Sequence, residues 1–129
     1  MSKILSVLLI VIASFSIALS QEPLKNSDNP PSQGLAPKEP NGIGRADVRV
    51  VDEQGNPIRN AYVKLESTRT DGFYCESWGE TDDHGVIALL PIHMGSLKFK
   101  VKAKGYKSQE MEAKANDLGE PVHVTLKKK

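Results

Sequence analysis

The chain has 129 residues, with 17 Lys and Arg against 16 Asp and Glu. That near-neutral balance excludes a global field for nucleic acid or an anionic membrane. Its single cysteine, Cys75, excludes an internal disulfide framework, so the fold must rest on a hydrophobic core.

Residues 1–20 have the make-up of a cleavable export leader. Lys3 supplies the positive start, Ile4 to Leu19 form an apolar stretch interrupted only by Ser, and Ala18-Leu19-Ser20 is a small-x-small cleavage pattern. Cleavage is expected between Ser20 and Gln21. The apolar run is shorter than a spanning helix wants. Position 21 is Gln rather than Cys, which argues against lipidation. No second hydrophobic segment follows, so no membrane span is expected after cleavage. The mature protein is expected to be secreted or periplasmic.

Residues 21–44 mix Pro23, Pro30, Pro31, Pro37 and Pro40 with Ser, Asn, Gln and Gly. Only Leu24, Leu35 and Ile43 are large and apolar. Such a stretch buries too little surface to offset its ordering entropy, so a disordered spacer is expected.

From Arg45 to Lys129 the pattern has period two. Val48 and Val50 open it, and Asp52 to Pro57 make a turn. Ala61, Val63 and Leu65 alternate with Tyr62, Lys64 and Glu66. After Asp71-Gly72 comes the short aromatic run Phe73 to Trp78. A turn at Thr81 to Gly85 leads into the apolar run Val86 to Leu90. Leu97, Phe99, Val101 and Ala103 then alternate with Lys98, Lys100, Lys102 and Lys104. A weaker strand is expected around Lys107 to Ala113, and Val122, Val124 and Leu126 close the pattern. About seven short strands at regular spacing predict an all-β fold, an antiparallel sandwich with one buried face per sheet.

Three of these pieces form an ordered set. The first is Val48-x-Val50-Val51-Asp52-x-x-Gly55-x-Pro57-Ile58-x-x-Ala61-x-Val63-x-Leu65. The second is Thr81-Asp82-Asp83-His84-Gly85, and the third is Phe99-x-Val101-x-Ala103-x-Gly105-Tyr106. The set resembles carboxypeptidase regulatory-like domains over about residues 45–127. The resemblance implies a seven-stranded, transthyretin-like β-sandwich. Its hallmark residues have structural roles: Gly55 and Gly85 where turns need positive φ, Pro57 presetting φ, Ala61 small where a strand enters the core, and Tyr106 packing its ring at the core edge.

No cofactor or metal site is expected. His84, His93 and His123 lack zinc-like spacing to one another or to Cys75. A cation site from Asp82, Asp83 and His84 is weaker than Asp82 capping its own turn. No nucleophile elbow or phosphate loop is present. Enzymes on this fold carry features that the sequence does not display: the hydrolases of hydroxyisourate end in Tyr-Arg-Gly-Ser, and intradiol dioxygenases hold iron with two Tyr and two His. The lysine face from Lys98 to Lys104 reads as solvated surface that discourages aggregation, against a basic patch for anionic glycans. The expectation is an exported, non-catalytic module with a structural or binding role and a protein or glycan partner. A second reading is carbohydrate binding through Phe73, Tyr74 and Trp78. A third is a small enzyme whose type the motifs do not identify.

Overall fold

The computed structural model describes residues 30–129. The leader, its cleavage site and residues 21–29 of the expected spacer lie outside the described residues. Among the described residues no helix is long and apolar enough to cross a membrane.

The described chain is built from strands: β1 (Ile43–Gly44), β2 (Asp47–Val51), β3 (Tyr62–Thr68), β4 (Tyr74–Glu80), β5 (Val86–Ala88), β6 (Ile92–His93), β7 (Ser96–Lys102), β8 (Gln109–Ala113) and β9 (Val122–Thr125). Two sheets carry seven of them, in the orders β4-β3-β7-β8 and β5-β2-β9; β1 and β6 pair separately. The fold is all-β, as the alternation predicts. One pairing departs from the antiparallel rule: β9 lies parallel to β2, with Val48 opposite Val122 and Val50 opposite Val124.

Alternation builds the core. On β7, Leu97, Phe99 and Val101 are buried while Lys98 and Lys102 are exposed. Phe99 pairs with Leu65 on β3 and Met111 on β8, placing the largest buried ring mid-sheet. The facing sheet contributes Val48, Val50 and Val124, each at most 1% exposed. Leu89, Met94, Leu118 and Leu126 close the ends. Each fully buried aliphatic side chain stabilises the fold by about 1.5–3 kcal/mol.

The turns at Asp52 and Asp82 are copies of one device. Asp52 Oδ1 accepts the N–H groups of Gln54 and Asn56 at 2.9 Å each. Asp82 Oδ1 accepts those of His84 and Val86 at 2.8 and 3.0 Å. In both, the glycine three residues on has positive φ, 87° at Gly55 and 73° at Gly85. The sequence shows why: Asp-x-x-Gly recurs, with a short carboxylate to cap the loop and a residue without Cβ to reverse it. These contacts hold both carboxyls below the ordinary aspartate range, chiefly through the Asn56 and Val86 N–H groups.

The second turn is locked to the first half of the chain by Thr81, which is 3% exposed. Its hydroxyl donates to Ile58 O at 2.6 Å and accepts from the Ala61 N–H at 2.9 Å. Ala61 is fully buried. Tyr106 packs half-buried against the core and pairs through its backbone with Lys128.

The expected spacer is shorter than 21–44 implies. Leu35 and Arg45 exchange backbone hydrogen bonds at 2.8 and 2.9 Å. The Gln33 N–H donates to Asp47 Oδ2 at 3.1 Å. Asp47 is fully buried and also accepts from Arg49 Nε and Nη2 at 3.2 and 3.1 Å. A buried carboxylate is tolerable when charge-assisted bonds satisfy it. The Pro-rich composition gave no sign of this anchor, because it comes from a residue on β2.

Candidate functional site

β4 is the strand where local pattern and packing disagree. Its outward residues are Tyr74, Glu76, Trp78 and Glu80; its inward residues are Cys75, Ser77 and Gly79. The large side chains face solvent and the small ones face the interior. The cause lies in the opposite layer. A Cβ on Gly79 would meet Ile87 Cδ1 at 2.9 Å and Leu89 Cδ2 at 3.9 Å. The side chains that follow the second turn occupy the space under β4, so β4 presents small residues to them.

Consequently the three aromatics singled out in the sequence are all exposed: Phe73 by 64%, Tyr74 by 51% and Trp78 by 59%. They do not share one platform. Phe73 precedes β4 and sits under the Arg69 guanidinium, 5.5 Å from ring centre. Tyr74 and Trp78 share one strand face, separated by about 13 Å along the strand.

Glu76 lies between them. The Tyr74 hydroxyl donates to Glu76 Oε2 at 2.7 Å. Lys64 Nζ stands 3.6 Å from the same oxygen and 3.5 Å from Glu66 Oε2. Lys100 Nζ reaches Glu66 at 3.3 Å and Glu110 at 4.0 Å. The outer face of the four-stranded sheet is thus a lattice of alternating charge with an aromatic rim. The bond to Glu76 is the main reason the Tyr74 phenol is held well above its ordinary value. Burial lowers the Lys64 ammonium, but Glu76 and Glu66 outweigh it and leave it raised.

The lysine stripe belongs to this lattice. Lys98 pairs with Glu112 and Lys100 with Glu110 across β7 and β8. Those carboxylates stand opposite the cations in the register, and Lys100 is ion-paired to Glu66 and Glu110, so the stripe is not a concentrated basic patch.

The histidines are dispersed. His84 lies in the Asp82 turn, where the Asp82 oxygen is already engaged by backbone and Asp83 pairs with Arg59 at 3.0 Å. His93 on β6 has Nδ1 3.0 Å from Asn41 O. His123 lies on β9 opposite Arg49, in the other sheet. Tyr62 and Tyr74 stand at opposite ends of β3–β4, opposite Glu80 and Thr68. Tyr62, Tyr74, His84, His93 and His123 therefore lie on five separate segments and are not gathered into the two-Tyr, two-His iron set of intradiol dioxygenases. Among the described residues, no group of three or more His, Cys, Asp or Glu is placed to hold a metal ion.

No known family profile and no curated protein matches the chain. Solved structures do match its fold. One is 3-chlorocatechol 1,2-dioxygenase from Rhodococcus opacus 1CP, at a TM-score of 0.52 and 14% identity, covering 84% of this chain and 71% of the enzyme. Another is hydroxyquinol 1,2-dioxygenase from Pseudomonas putida DLL-E4, at 0.54 and 14%, covering 95% and 71%. These matches correct the functional expectation. The non-catalytic expectation rested on an exported lone sandwich in which no catalytic set is recognisable, yet both of these neighbours of the same fold are enzymes. A sandwich of this kind does not decide between catalysis and binding. At 14% identity the likeness establishes the architecture that this chain shares with those dioxygenases.

Proposed function

We propose that the outer face of β4 recognises a small ring carrying adjacent hydroxyl groups, of the catechol class. The carrying observation is Tyr74 and Trp78 on one exposed strand face with the Glu76 carboxylate between them. An aromatic side chain offers a stacking surface. A carboxylate accepts from hydroxyl groups, as Glu76 Oε2 already does from Tyr74 at 2.7 Å. The fold neighbours lend support, since by their names they act on a chlorinated catechol and on hydroxyquinol.

Trp78 is the chain's one tryptophan, so its fluorescence reads this face directly. Titration with catechol is expected to give saturable quenching that weakens in Tyr74→Ala and Glu76→Gln. Quenching that neither substitution alters overturns the assignment. A tighter response to oligosaccharides than to catechol reassigns the face to sugars. Chromatography of the incubated mixture separates a consumed substrate from a retained ligand.

We also propose that the chain is an exported member of the carboxypeptidase regulatory-like group. The leader pattern and the ordered hallmarks, with Thr81 and both Asp-x-x-Gly turns in structural roles, support that reading. A mature N-terminus at Gln21, read by mass spectrometry of the exported protein, is the expected result.

A further inference from the structure

We propose that β4 pairs edge to edge with β4 of a second copy, antiparallel and centred on Ser77. β4 ends its sheet, and at seven residues it is longer than the edge strands β8, β5 and β9 at five, three and four. It contains no Lys and no Pro, the residues that commonly blunt an edge.

The direction of its free backbone groups follows from two bonds. The Arg69 N–H donates to Phe73 O at 2.8 Å, and the Thr81 N–H donates to Ala61 O at 3.0 Å. Antiparallel pairing alternates, so Cys75, Ser77 and Gly79 bond toward β3. The N–H and C=O groups of Tyr74, Glu76, Trp78 and Glu80 point away from it, toward the side on which no described strand is hydrogen-bonded to β4.

A two-fold pairing must join these outward groups. Centring on Glu76 sets Glu76 against its own copy, and centring on Trp78 sets Glu76 against Glu80. Like charges directly opposite are destabilising. Centring on Cys75 leaves most of the strand unpaired. Centring on Ser77 engages all four outward residues: Tyr74 meets Glu80 and Glu76 meets Trp78, with no like charges opposed.

A second observation selects the same register. Ser77 is 5% exposed, and its hydroxyl has no hydrogen-bond partner among the described residues. An orphaned buried hydroxyl calls for an explanation. In this register Ser77 faces Ser77 of the partner subunit at a non-hydrogen-bonded position, where Cα atoms lie about 4.5 Å apart. Rotation about χ1 then brings each hydroxyl, covered within its own chain, to the other.

The test is mass and cross-linking of the mature protein, which depend on no ligand and so stand apart from the catechol reading. Sedimentation is expected to show a species of twice the monomer mass. In Cys75→Ala/Ser77→Cys, mild oxidation is expected to give a disulfide dimer, while Cys75→Ala alone gives none. Glu76→Pro is expected to shift the protein to monomer, because it removes a donor that points away from β3. A monomer at high concentration with no cross-link overturns the proposal. So does a dimer that Glu76→Pro leaves intact and Ser77→Cys fails to link.

Discussion

Thr81→Val is the substitution whose effect the structure defines most closely. Valine has nearly the shape of threonine, so it leaves the packing in place and deletes one hydroxyl. That hydroxyl joins Ile58 O at 2.6 Å to the Ala61 N–H at 2.9 Å, at a site 3% exposed. Its loss orphans one buried acceptor and one buried donor. Each orphan costs about 1–3 kcal/mol. The apolar gain of the added methyl offsets about 1 kcal/mol. Taking about 2 kcal/mol for each orphan, a net destabilisation of about 3 kcal/mol follows, or a Tm roughly 12–24 °C lower for a domain of this size. Thr81→Ser keeps both bonds and loses one methyl group, for about 1 kcal/mol. The assay is urea unfolding followed by far-UV circular dichroism on the three proteins side by side. A Val variant as stable as the Ser variant refutes the reasoning, because it shows that the hydroxyl is not what joins the two halves.

Two glycines with similar φ are expected to respond differently to alanine. Gly55→Ala meets nothing within 4 Å and carries only the left-handed penalty of about 1–2 kcal/mol; Gly85→Ala also places Cβ 2.5 Å from Val50 O and is expected to lose clearly more stability, so equal unfolding midpoints contradict this. Acid sensitivity is expected from the twin turns. Asp52 and Asp82 titrate below the ordinary value of 3.8, so the stability tied to them is full above that pH and is lost as pH falls through their lowered values. Asp52→Asn/Asp82→Asn is expected to flatten the fall in urea midpoint between pH 5 and about 2.5, and an unchanged slope assigns the acid limb to other groups.

Much of the fold was legible because strand chemistry is local. β7 shows its inward and outward residues directly, since Leu97, Phe99 and Val101 alternate with lysines. Both Asp-x-x-Gly turns were legible for the same reason: cap and glycine lie within a few residues of each other. The candidate site was only half legible. Phe73, Tyr74 and Trp78 stood out by type, but whether they were core or surface was hidden. On β4 the usual reading inverts, with Tyr and Trp outside and Cys, Ser and Gly inside.

The sequence by itself determined that strands form, where they turn and which residues cap the turns, because those outcomes depend on neighbours within a few positions. Only the tertiary structure decided that Ile87 and Leu89 occupy the space beneath β4 and turn its aromatics outward. It likewise decided that β9 lies parallel to β2, that Gln33 and Leu35 are anchored at Asp47 and Arg45, and that Ser77 is left buried beside an open edge. Each of these joins residues far apart in the chain, and no local period encodes which distant surface a strand will meet.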